Sequence, residues 1–292
     1  MLGIEEFGKS YYEVELMKEQ NLYSIGEVSK ICNVSKKTLR YYDKIGLISP
    51  DVVSEENNYR YYSEDTLLFI PVIKYFKQMG FKLEEMKEFL HKNSDRTHEH
   101  GFYQKIEELR IQEAQLQMTS TSVRDWYSML LEADRVIKKN VTDVAIKFVD
   151  PMTTCYLEQI FSHNYKPMII NIEWTNYLEK NQKLITGAVN LWFKDYRQKN
   201  AGEDTVCRIF QKSITDCRDI PTMTVGGDMY VSCYHIGSHE TLPETYDKIL
   251  EWADKHGYKC SGESIERYVT DYWTFRDSGE FVTEVLIKVL RK

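Results

Sequence analysis

Two groups of residues in this 292-residue chain have types and spacings suited to chemistry. The first lies in SKKTLRYYDK, where Ser35, Lys36, Lys37 and Thr38 are followed by Arg40, Tyr41, Tyr42 and Lys44. Ammonium and guanidinium groups neutralise phosphate oxygens and hydroxyls position them, so this cluster suits a nucleic-acid backbone. Tyr59, Arg60 and Tyr61, in NNYRYY, repeat the same chemistry further on. The second group sits near the C-terminus, with Glu266 and Tyr268 in SIERY and Glu284 in TEVLIKVL. A carboxylate in a mostly apolar strand either finds a cation or takes up a proton.

The elements that must position the first group are legible. Ser24 and Glu27 form a capping box ahead of Ile25, Val28 and Ile31 at helical spacing. Asn33 interrupts the pattern, Ser35 caps a second helix, and Gly46 stops it. Two helices joined by so short a turn present the second to a DNA major groove. The Asn57-Asn58 turn leads into a basic, aromatic strand, which reads as a wing with Arg60 reaching a phosphate. Ser63 caps a third helix with Leu67, Leu68, Ile70, Val72, Ile73 and Phe76 on its apolar side, and Gly80 turns the chain into a fourth. TLRYYDKIGL, NNYRYY and GFKLEEMKEFL, in this order and spacing, resemble the DNA-binding domain of the MerR family of transcription regulators. That resemblance implies a homodimer on double-stranded promoter DNA. Ligand binding then bends and untwists the DNA, realigning the promoter elements for RNA polymerase.

Composition alone points elsewhere, since a net charge of -7 and a pI near 5.6 reverse the usual nucleic-acid signature. Binding therefore requires basic side chains gathered on one face and a dimer to double the phosphate contacts. No apolar run approaches the roughly twenty residues needed to cross a bilayer, and no signal-peptide pattern opens the chain, so no membrane partner is expected. Six scattered cysteines read as reduced thiols of a cytoplasmic protein. The segment before Met17 reads as an upstream extension or an expression remnant, with a helix from Tyr12 to Lys18 as the alternative. The expected organisation is an extension (1–21), a winged helix-turn-helix (22–92), a linker and coiled-coil helix (93–140) and a mixed α/β domain (141–292), an α+β chain.

Phe102, Ile106, Leu109, Glu113, Leu116, Ser120, Val123, Tyr127, Leu130, Asp134 and Ile137 alternate in steps of four and three. That is a coiled-coil seam on a helix of about 54 Å, too long for one small domain to bury. Leu109, Leu116, Val123, Tyr127 and Leu130 are the expected dimer contacts, and Trp126 is expected to pack against the domain that follows. His98 and His100 form an H-x-H pair that could take a metal, but with no thiolate or third ligand beside it a solvated loop is expected. No cysteine occurs between Cys32 and Cys155, which removes the ligands of the family's metal and redox sensors.

Beyond this helix, strands are expected at 144–150, 187–193, 229–236, 264–273 and 281–290, with a helix in LPETYDKILEWADK. The arrangement resembles the GyrI-like effector domain of the family's multidrug-sensing branch. By that resemblance, Glu284 and Glu266 are the candidate acidic contacts of a lipophilic, cationic small-molecule effector, with a structural salt bridge to a lysine or arginine as the alternative for Glu284. Tyr230, Tyr268, Tyr272 and Trp192 are its ring contacts. Alternation puts Glu266, Tyr268 and Tyr272 on one face of their strand and Ile265, Val269 and Trp273 on the other. GyrI-like domains include small-molecule hydrolases, and a tyrosine beside a buried glutamate could serve as acid and base. No Ser-His-Asp arrangement, phosphate loop or metal cluster is legible, so ligand sensing without a cofactor is the expectation.

Overall fold

The computed structural model describes residues 22–55, 57–91 and 95–292, and the side chains of all of these except 90, 91 and 95–98. The proposed Tyr12–Lys18 helix lies outside the described residues. The chain divides into two compact units between Gln112 and Glu113.

In the first unit, β1 (Tyr23–Ser24) leads into α1 (Ile25–Ile31), and the Ser24–Glu27 capping box is formed. Ser35 caps α2 (Lys36–Lys44) by accepting from the Thr38 N–H. Gly46 ends that helix at φ 66°, a left-handed conformation that favours glycine. The wing is β2 (Val52–Val53) against β3 (Arg60–Tyr62), which also pairs with β1. Ser63 caps α3 (Glu64–Gln78), and α4 (Leu83–His91) follows. Val28, Leu39, Tyr42, Tyr62, Ile70 and Met86 form the core. Two expectations fail here. Leu68 is exposed, on the rim of an open apolar hollow with Ile31 and Tyr75. Tyr42, expected at the DNA face, is only 3% exposed, while its neighbour Tyr41 is 47% exposed. Leu39 and Tyr42, three positions apart, share the helix face turned to the core, and Tyr41 lies off it.

Helix α5 runs from Asp95 to Lys139. Its first turns belong to the first unit, where Phe102, expected on the seam, packs with Phe76, Phe81 and Phe89. Its remainder belongs to the second unit. There Met129, Ala133 and Val136, at helical spacing, are buried against Ala188, Val269 and Val282. Trp126 meets Trp273 edge-to-face at 4.6 Å. The seam residues lie on other flanks, with Leu116 69% and Val123 64% exposed.

The second unit is built on an eight-stranded sheet in the order β4-β9-β11-β10-β6-β7-β5-β8. Its strands are β4 (Ala145–Val149), β5 (Met152–Ile160), β6 (Ile185–Phe193), β7 (Val206–Ser213), β8 (Thr222–Val225), β9 (Asp228–Ile236), β10 (Tyr258–Thr270) and β11 (Val282–Arg291). Helices α6 (Tyr165–Ile169), α7 (Ile172–Lys180), α8 (Tyr196–Asn200) and α9 (Leu242–Lys255) complete it. The second part of α5 covers one face of the sheet. On the other, Trp174 and Leu178 of α7 pack on Leu191 and Ile209, and Tyr246 and Ile249 of α9 pack on Val231 and Ile287. Gly226 turns the chain between β8 and β9, where a Cβ would stand 2.2 Å from the Asp150 carbonyl oxygen. Strand β10 begins earlier than expected and ends at Thr270. Trp273 therefore lies in the following turn, held by its N–H to Asp271, and not on a strand face.

Substituting the paired tyrosines separates their roles. Tyr42→Ala is expected to cost about 3 kcal/mol through the lost core aromatic. Tyr41→Ala stays within about 0.5 kcal/mol as a surface change. Urea unfolding of both variants, followed by circular dichroism, checks this, and equal losses would contradict the burial difference.

Candidate functional site

Side chains alternate across the sheet, and this parity splits the expected effector residues into two places. Ala188 and Asn190 of β6, Tyr230 and Tyr234 of β9, Ile265 and Arg267 of β10, and Glu284 and Leu286 of β11 share the face toward α5. Between them and the Asp125–Arg135 stretch of the helix lies a cavity of about 840 Å³. Met129, Val149, Met152, Phe210, Val225 and Leu286 supply its apolar wall.

Its polar side is a connected network. Arg267 donates from both terminal nitrogens to the two oxygens of Glu132, each at 2.6 Å, a fork-to-fork pairing across the space between helix and sheet. One of those nitrogens also donates to Glu284 at 3.1 Å, and Lys147 donates to the other Glu284 oxygen. The Tyr234 hydroxyl donates to Glu132 at 2.8 Å. Burial pushes the Glu132 carboxyl up, but Arg267 and Tyr234 outweigh it and hold the group below the ordinary glutamate value. Burial likewise opposes the Arg267 charge, and Glu132 and Glu284 together hold that guanidinium higher than usual. At the far end of the same helix stretch, Lys212 donates to Asp125 at 2.9 Å.

Glu284 and Tyr230 thus lie in one cavity, as expected. Glu284 is not a free counter-charge, however: its side chain is 3% exposed and already holds two cations. Trp192 shares the parity of Asn190 but lies beyond the lining, with the Arg208 guanidinium 4.8 Å from its ring centre. Glu266 and Tyr268 are on the opposite face. Glu266 is fully buried, ion-paired to Lys199, and accepts from the hydroxyls of Tyr246 at 2.7 Å and Tyr268 at 2.6 Å. The Lys199 ammonium stands 4.7 Å from the ring centre of Tyr246, 5.1 Å from Phe193 and 5.4 Å from Tyr165. The carboxylate and its aromatic cage are filled by the chain's own lysine. Tyr272 lies beside that cluster, its hydroxyl 3.2 Å from His239 Nδ1. Burial lowers the His239 pKa to about 4, and His235 is bonded to Thr245 and Ser238.

Sequence reasoning missed Glu132, Arg267 and Lys147. Parity already set Arg267 opposite Glu266, and Met129, Ala133 and Val136 already marked the helix face that would lie over it. In the head, Lys36, Lys37, Arg40, Tyr41 and Lys44 are exposed along α2, and Tyr59 is exposed on the wing. Ser35 and Thr38 are bonded to each other through their hydroxyls. Tyr61 is half-buried, and Arg60, expected on a phosphate, donates instead to Asp43 of α2 at 2.8 Å. His98 has no described side chain and His100 is exposed. Among the described residues no cluster of three metal-ligating side chains occurs, and no helix is long and apolar enough to cross a membrane.

A winged helix-turn-helix, a long helix with an exposed apolar seam, and an antiparallel sheet with a ligand-sized cavity define a class of ligand-responsive DNA-binding protein. Comparison with known proteins agrees. Residues 23–93 match the MerR HTH family regulatory protein model, and residues 142–290 match the GyrI-like small molecule binding domain. The chain is 55% identical over 71 residues to the multidrug-efflux transporter 1 regulator of Bacillus subtilis (strain 168), covering 24% of this chain and 25% of that one. It is 23% identical over 278 residues to the multidrug-efflux transporter 2 regulator of the same organism, covering 91% and 96%. A solved EcmrR–DNA complex aligns over 92% of this chain and 100% of its own, at 21% identity and a TM-score of 0.44. The chain belongs to the MerR-family transcription regulators that carry a GyrI-like ligand-binding domain.

Removing Arg267 tests the network. Arg267→Met leaves Glu132 and Glu284 buried with fewer partners and is expected to cost roughly 3 kcal/mol or more at neutral pH. Because the folded Glu132 pKa is depressed, its contribution is full above the ordinary glutamate value and disappears as pH falls through the lower folded value. The native protein therefore loses stability as pH falls below about 5, and the variant loses less over that range. Denaturant midpoints measured from pH 7 down to pH 3 check both, and parallel acid slopes would contradict the assignment.

Proposed function

We infer that the protein is a homodimeric, cytoplasmic transcription activator that binds double-stranded promoter DNA and engages RNA polymerase in response to a lipophilic small molecule. The observation that carries this reading is that one helix stretch serves two surfaces. Its Asp125–Arg135 flank roofs the cavity, while Leu116, Val123, Tyr127 and Leu130 stand exposed on the same helix. A ligand in the cavity presses on the helix that sets the spacing of the two heads. It therefore favours one dimer shape, and that shape deforms the promoter. The organisation follows: a DNA-binding head at 22–92, a dimerisation helix at 93–140 and an effector domain at 141–292, behind an extension at 1–21.

The names of the two Bacillus relatives support an effector drawn from the compounds that multidrug efflux handles. The expectation of a cationic effector loses its support, because the charge of Glu284 is taken up by Lys147 and Arg267. We read the domain as a sensor without catalysis. Glu266, set among tyrosines, is fully buried and neutralised by Lys199, and Glu132, bonded to Tyr234, is already held by Arg267. On DNA, Lys36, Lys37, Arg40 and Lys44 make the phosphate contacts, with Tyr41 and Tyr59 beside them. Arg60 acts through Asp43, fixing the angle between wing and helix.

Run-off transcription settles the function. With polymerase and a promoter selected from genomic fragments by the purified protein, a lipophilic ligand that raises the protein's melting temperature should raise transcript yield. Unchanged yield with a bound ligand would defeat the reading. Two variants test its parts. Leu116→Glu combined with Val123→Glu is expected to give monomers by sedimentation and to abolish operator binding, since half-site spacing requires two linked heads. Arg40→Ala is expected to weaken binding to all sequences alike and to lower the salt slope by about 1 for each head.

A further inference from the structure

Four cations line the cavity, Arg135, Lys147, Lys212 and Arg267, against three carboxylates, Asp125, Glu132 and Glu284. The balance of free bonding capacity is more one-sided than the charge. Both oxygens of Glu284 and both of Glu132 already accept hydrogen bonds, and one oxygen of Asp125 does. Among the described residues, Lys147 and Lys212 each donate to a single carboxylate, leaving ammonium protons to spare. Arg135, one helical turn beyond Glu132 on the flank that lines the cavity, has no ion pair among them. The cavity wall also holds Thr186, fully buried, whose hydroxyl has no hydrogen-bond partner.

These groups treat ligands of opposite charge differently. A cation would have to compete with Lys147 and Arg267 for Glu284, whose side chain is 3% exposed, with Arg267 for Glu132, or with Lys212 for Asp125. An anion meets lining cations with donors to spare. The Lys147 side chain is 41% exposed, and its ammonium carries three donors of which Glu284 takes one. Sharing that ammonium between Glu284 and the ligand keeps both Glu132 and Glu284 beside a cation, where withdrawing it would leave Arg267 alone against two carboxylates.

We propose that the effector of this cavity is a lipophilic anion, an amphiphile whose carboxylate or comparable acid group is taken by Lys147 and Arg135. Its apolar body lies against Met129, Met152, Val225 and Leu286. This rests on the cavity being the effector site, and it names the chemical class that site accepts.

The test uses the full chain and three probes of one chain length, decanoate, 1-decanol and decylammonium, each below its micelle or solubility limit. Calorimetric titration is expected to show decanoate binding about tenfold tighter than decylammonium. Lys147→Met with Arg135→Gln should cut decanoate affinity by about tenfold while leaving decanol affinity unchanged. Arg135→Gln alone, on an exposed helix position, should show part of that loss if the double variant fails to fold. Decylammonium binding as tightly as decanoate, or decanoate affinity unchanged in the variants, would overturn the charge class and leave the cavity as the effector site. No binding by any of the three would overturn the cavity reading itself and this inference with it.

Discussion

The grip of Arg267 on Glu132 is the interaction on which the second unit's architecture turns. It ties the middle of β10 to the roofing helix through two parallel hydrogen bonds, whose geometry admits little tilt or slide. Desolvation offsets much of the attraction in such a pair, so its contribution is to position more than to net stability. Glu284, Lys147 and Tyr234 are arranged around it. Glu284 can be buried in an apolar strand because Arg267 reaches it, and Tyr234 and Lys147 satisfy the remaining acceptors. At one end the helix is seated by Met129, Ala133 and Val136, and at the other by Asp125 with Lys212. Beside the flank seated by Ala133 and Val136, the flank carrying Ser128, Glu132 and Arg135 faces the cavity.

The opposite face of the sheet shows what a complete version of such a site looks like. Glu266 lies among Tyr165, Phe193 and Tyr246 with an ammonium at their centre, and that ammonium is Lys199. Burial pushes the Lys199 amine down and Glu266 pulls it back up, so the pair is held by mutual need in a dry setting. A carboxylate with an internal partner is a structural element. A network with spare donors and an open volume is a site.

In the head, several basic residues support the fold. Lys74 donates to the Cys32 carbonyl just past the end of α1, and Lys87 donates to the Ile45 carbonyl just past the end of α2. Both place positive charge where helix dipoles favour it. Arg60 buckles the wing onto α2 through Asp43. Lys36, Lys37, Arg40 and Lys44 stand exposed together on α2, so a chain of net charge -7 still presents one basic helix.

Local patterns were enough for the head's elements, though not for the burial of Tyr42 or the Asp43 partner of Arg60. Caps at Ser24, Ser35 and Ser63 and the turn at Gly46 depend on neighbours within a few positions, and these the sequence determined by itself, whereas the long helix, expected at about 54 Å, extends over 45 residues. The sequence also determined strand parity, and with it that Arg267 and Glu266 face opposite ways. Several matters lay beyond it. Which face of β10 meets the long helix depends on strands far apart in the chain, so Glu266 and Tyr268 were grouped with Glu284 when they belong to the other side of the sheet. The partners of Glu284 come from residues 147 and 267, and a sequence carries no record of which charges its fold will bring together. Trp273 fell outside its expected strand because Asp271 and Thr274 close a turn through their side chains. Periodicity tells which residues share a face. Only packing decides what that face meets, because contact energies depend on distances that local sequence does not encode.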